Sequence, residues 1–73
     1  MNRNRKLTKF GRLVSKALVD RGWTKVRLAA EIGTSPQYLS YILHGVRPGG
    51  KYIPTIIAVL DLDPRKVEKA MAA

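Results

Sequence analysis

The chain has 73 residues, no cysteine and a formal net charge of +9, which describes one domain near the lower size at which a hydrophobic core holds unaided. Without cysteine, a disulfide framework and thiolate metal sites are excluded, and packed apolar faces must supply the stability. No apolar run approaches the roughly 20 residues that span a bilayer, and "MNRNRKLTKFGRL" has no signal-peptide apolar core behind its charges, so a soluble chain with no membrane partner is expected.

The charge is unevenly placed. Residues 1–51 carry eleven Lys/Arg against two acids, whereas residues 52–73 carry three against three. A polyanion partner accounts for this, because cations that neutralise phosphates release condensed counterions; a solubilising surface accounts for it too. An anionic membrane fits less well, since the basic segments lack a long helix with large apolar residues opposite the charges.

Asn2 to Lys6 is short, polar and basic, which predicts an arm over residues 1–7 and a folded domain over 8–73. Thr8 is an N-cap, and Phe10, Leu13, Val14, Ala17 and Leu18 recur on one face of a first helix that Gly22 stops. Thr24 caps a second helix, with Trp23 and Leu28 placed as a hydrophobic staple, Leu28, Ala29 and Ile32 inward, and Gly33 ending it. Ser35 then caps a third helix with Pro36 at its first position, where a missing N–H costs nothing. Leu39, Ile42 and Leu43 form its inner stripe, Gly45 stops it, and "VRPGGKY" reads as a loop.

A fourth helix starts near Ile53 and Pro54 and carries Ile56, Ile57, Val59 and Leu60, the most apolar stretch and hence central. Asp63 and Pro64 begin a fifth, with Leu62 and Val67 as a second staple and Ala70 and Met71 further on. No segment alternates with period two between hairpin turns, so the expectation is all-α, five short helices around one core.

Helices two and three carry the informative pattern. A short, Ala-bearing helix, a glycine turn of about three residues and a second helix are a helix-turn-helix candidate. Ala29 lets the second helix cross close over the first, and Gly33 suits a turn that needs positive φ or has no room for a Cβ.

"WTKVRLAAEIGTSPQYLSYILHG" resembles the helix-turn-helix of the Cro and phage-repressor family, with Leu28, Ala29, Gly33, Ser35, Leu39, Ser40, Ile42 and Gly45 falling on its pattern without a gap. The likeness extends over about residues 8–70, because "KYIPTIIAVLDLDP" matches that family's apolar, Pro-containing fourth helix after a basic loop. It implies a five-helix, lambda-repressor-like DNA-binding domain. Lys25 stands where the family commonly has glutamine; it still reaches a phosphate but loses an amide that braces the recognition helix. Leu18 and Leu43 stand where many members pair an arginine with a glutamate, and the joint loss is coherent because an apolar pair in place of a buried ion pair is often neutral or stabilising.

By the same resemblance, Pro36, Gln37, Tyr38 and Tyr41, with Ser40 nearby, are the residues that reach base edges. Gln37 has the two-ended amide that pairs with adenine in the major groove, and Tyr41 can offer a hydroxyl to a phosphate or its ring to a thymine methyl. The plainer alternatives are a solvated Gln37 and tyrosine rings packed on the Trp23 side. Phosphate contacts are expected from Lys25, Arg27, Arg47, Lys51 and Tyr52 and from backbone N–H groups at helix starts such as the one Ser35 caps, with Lys9 and Arg12 as secondary candidates. Arg3 and Arg5 suit a minor groove as an arginine arm, or a solubilising tail.

Chemistry beyond binding finds no support. There is no carboxylate pair at a shared site, no Ser/His/Asp set and no metal-ligand cluster. "PGGKY" lacks the strand–loop–helix setting of a P-loop, and His44 reads as a helix-end residue, so no enzyme activity, cofactor or metal is expected. The resemblance implies a double-stranded DNA operator as partner, a homodimer on inverted half-sites about 34 Å apart and a place in the cytoplasm of a bacterial or phage-infected cell. A regulatory protein partner fits as well. Two rivals stand beside a small Cro-like repressor: an antitoxin or anti-repressor that keeps the fold to bind protein, and a non-specific architectural or RNA-binding protein.

Overall fold

A computed structural model describes residues 7–71. They form five helices: α1 (Lys9–Arg21), α2 (Lys25–Ile32), α3 (Pro36–Leu43), α4 (Ile53–Leu60) and α5 (Pro64–Met71), with no strand among the described residues. None of these helices is long and apolar enough to cross a membrane. Arg3 and Arg5 lie outside the described residues, while Leu7, at the expected end of the arm, packs against the core.

The caps are the ones the side-chain chemistry dictates. Thr8, Thr24 and Ser35 take extended backbone and accept from the N–H groups of Gly11, Arg27 and Tyr38 respectively, each satisfying a donor that the first helical turn leaves unpaired. Gly22 and Gly33 close α1 and α2 in the left-handed region. At Gly33 the positive φ of 83° is the whole reason for glycine, because no atom would meet an added Cβ. Asp63 Oδ1 accepts from Arg65 N–H at the start of α5.

One core unites the helices. Phe10, Val14 and Leu18 from α1 meet Leu28, Ala29 and Ile32 from α2, Leu39, Ile42 and Leu43 from α3, and Ile56, Leu60, Leu62 and Val67 from the C-terminal third. Leu18 and Leu43 both belong to it, so the apolar pair occupies interior space where an unpaired charge would be costly. Leu62 and Val67 are core as well, whereas Met71 is exposed.

Two close approaches fix α3. Leu43 carbonyl oxygen, left without an intrahelical donor at the end of α3, accepts from both the Thr8 N–H (3.0 Å) and the Thr8 hydroxyl (3.1 Å). This crossing is possible because residue 11 is glycine: a Cβ there would collide with the same carbonyl. Gly49, at φ 64°, likewise lies on Ile42, whose Cγ2 would stand 2.6 Å from an added Cβ. At the far end of α1, Arg21 donates to Leu60 carbonyl at 2.8 Å and so satisfies the end of α4.

Candidate nucleic-acid interface

With Leu39, Ile42 and Leu43 buried, the helical period turns Gln37 outward and leaves Tyr38, Ser40 and Tyr41 half-buried at the edges of the exposed face. Gln37 Nε2 donates to Tyr41 hydroxyl at 2.7 Å, one turn away on the same face. An amide nitrogen has two hydrogens, so one N–H and the carbonyl oxygen of Gln37 stay available, which is the pair of groups an adenine edge requires. Pro36 is exposed beside them and has no N–H to offer.

Tyr38 is placed differently from the packing on Trp23 that its position in the sequence allows. Its ring meets Tyr52 edge-on, with centroids 5.7 Å apart at 67°, a favoured aromatic geometry. The contact joins α3 to the loop before α4. Ser40 turns toward the end of its own helix, where its carbonyl accepts from His44 Nδ1 at 2.9 Å and its hydroxyl lies 3.5 Å from the same ring nitrogen. His44 thereby serves as the C-cap of α3.

The loop is held from both sides. Val46 N–H donates to Tyr41 carbonyl at 2.8 Å, and Tyr52 and Ile53 N–H donate to Gly49 carbonyl. Thr34, Ser35 and Tyr38 on one wall and Gly49, Lys51 and Tyr52 on the other enclose an open hollow beside the start of α3. Lys51 Nζ lies 5.8 Å from the Tyr52 ring centre, within cation–π range, and Arg47 is exposed nearby in sequence. Neither forms an ion pair among the described residues.

Backbone donors add to this. At α2, Arg27 and Leu28 N–H are taken by Thr24, which leaves those of Lys25 and Val26. At α3, Tyr38 and Leu39 N–H are taken by Ser35 and Pro36 has none, which leaves that of Gln37. Lys25 is exposed at the first position of α2. Arg27 is already engaged: its guanidinium stacks over Trp23 at 4.3 Å and its Nε pairs with Glu31 at 3.2 Å. That pair is exposed and contributes little to stability, but the stack fixes where the cation stands.

Some of the sites expected from the sequence fall into two groups, with Pro36, Ser40, Lys25, Arg27 and Arg47 in neither. Gln37 and Tyr41 form one bonded unit, and Ser35, Tyr38, Lys51 and Tyr52 form another around the hollow. Gly11 and Gly49 were not singled out from the sequence, and Thr8 only as an N-cap, although all three place the helix; that role depends on which backbone crosses which, and no local pattern reports it. The Arg27 contacts with Trp23 and Glu31 were accessible, since both lie four residues away.

A family model described as Helix-turn-helix matches residues 14–67, well over half of the chain, including all of α2, the turn and α3. Comparison with curated proteins and with solved structures returns no match.

Proposed function

The chain belongs to the helix-turn-helix family, of the Cro and phage-repressor type, and is a DNA-binding domain of that kind; from this premise we propose that it is a sequence-specific regulator of transcription, acting as a small Cro-like repressor. Its α3 enters the major groove with Gln37 and Tyr41 toward base edges, and the loop holds the neighbouring phosphates through Arg47, Lys51 and Tyr52. Lys25 and the free N–H groups of α2 meet the backbone on the other side.

The observation that carries this reading is the Gln37–Tyr41 bond beside a loop whose two cations form no ion pair among the described residues. A merely solvated glutamine has no need of a held orientation, whereas a reader of bases does, because discrimination falls when the amide is free to turn. Two copies on inverted half-sites about 34 Å apart double the contact, as the geometry of the family favours.

Selection of bound sequences from random duplex DNA at physiological salt tests the reading. The expected result is an enriched inverted repeat whose halves lie about one turn apart. Enrichment of no motif, with binding that only follows salt, would replace it with non-specific backbone binding.

A further inference from the structure

The strongest charged feature outside the α2–α3 face is an open furrow between α1 and α5. It is lined by Lys9, Arg12, Lys16, Lys66 and Lys69 over Leu13 and Ala70, with no acid. Lys9, Arg12 and Lys16 follow one face of α1, and Lys66 and Lys69 one face of α5, so helical spacing gathers five cations across about two turns of helix, ~10 Å. Leu13 and Ala70 are only half-buried and leave an apolar strip between the two cationic walls. None of the seven lining residues belongs to α2, α3 or the loop before α4.

The furrow has a direction. At Leu13, Lys16 and Lys66 it runs into a second hollow that bears Asp20, Asp61 and Asp63 beside Arg21. One end is therefore purely cationic and the other mixed.

We propose that this furrow is the docking site for an acidic, amphipathic helical segment of a partner protein. Glutamates or aspartates flanking one apolar stripe meet the Lys9–Lys16 and Lys66–Lys69 walls while the stripe covers Leu13 and Ala70. A nucleic-acid backbone is the poorer match: it would run onto Asp20, Asp61 and Asp63, and the cationic lining contains no aromatic ring on which a base could stack. A second copy is poorer too, since the chain has five acids in all and three of them sit in the adjoining hollow. Because single exposed ion pairs contribute little, binding depends on several charges together with the apolar strip, and weakens with salt. This inference does not rest on the operator reading.

The test titrates the full-length, isotope-labelled protein with a synthetic peptide of roughly three helical turns, with leucines on one face and glutamates flanking them. A peptide of the same composition in scrambled order serves as control. Expected are amide shifts confined to residues around Lys9–Lys16 and Lys66–Ala70, and a Kd that rises at least about tenfold in the double variant Lys66→Glu, Lys69→Glu. The scrambled peptide should leave the furrow unmoved. Both substituted residues are exposed, and an unchanged thermal midpoint shows that the variant folds. Three results would overturn the proposal: shifts centred on α3 and the following loop, equal binding of the scrambled peptide, or furrow shifts produced by duplex DNA or self-association in place of the peptide. Loss of operator selectivity with the furrow still binding would count against the operator reading alone.

Discussion

Gln37 and Tyr41 are joined by a 2.7 Å hydrogen bond on α3, so that the residue proposed to read a base is held by its neighbour one turn on. The bond leaves one N–H and the carbonyl oxygen of the amide free. Tyr41→Phe removes the bond and keeps the ring. We expect the fold to be unaffected and discrimination at the base pair that Gln37 faces to shrink by up to about 1–3 kcal/mol, the range of a good bidentate contact. Competition binding with duplexes altered at that pair alone measures it.

The α1–α3 crossing allows no Cβ at position 11, where it would meet Leu43 carbonyl. Gly11→Ala must push α3 away from the two Thr8 donors. A loss of roughly 1–3 kcal/mol is expected, as for other overpacked sites, with a fall in thermal midpoint of about 4–8 °C per kcal/mol in a domain of this size. Operator affinity, measured well below the midpoint, should fall too, because the displaced element carries Gln37.

Ser35 accepts from Tyr38 N–H at the start of α3. Ser35→Ala should destabilise by about 1 kcal/mol, and Ser35→Asp should recover most of that loss, since both side chains cap. In urea denaturation this reads as a shifted midpoint at unchanged slope. For DNA, aspartate is worse than alanine if the cap lies against phosphate, so the two variants separate stability from contact.

Lys51 and Arg47 carry the loop's charge without an ion pair among the described residues. Lys51→Ala should weaken binding to all duplexes alike and reduce the salt slope of log K by about one, leaving the preferred sequence unchanged. Anisotropy titrations across a salt series test this.

Much of the domain was legible in the sequence because it is written in local patterns. Thr8, Thr24 and Ser35 announce helix starts by their hydroxyls, Gly22 and Gly33 announce ends, and the 3.6-residue stripe assigns Leu39, Ile42 and Leu43 to the interior. What remained hidden depends on residues far apart in the chain. That Thr8 holds Leu43, that Gly11 makes room for it, and that Tyr38 leans on Tyr52 and not on Trp23 follow from helix crossing, which spacing within one helix does not encode. The Gln37–Tyr41 bond is the intermediate case: its four-residue spacing is visible, its formation is not.

The measurement closest to the central claim is selection from random duplex DNA run in parallel with the unaltered protein and with Gln37→Ala. The expected result is one motif for the unaltered protein and, for the variant, the same motif relaxed at the positions that α3 faces, with the phosphate-driven affinity largely kept. An identical motif from both would contradict the assignment of base reading to Gln37.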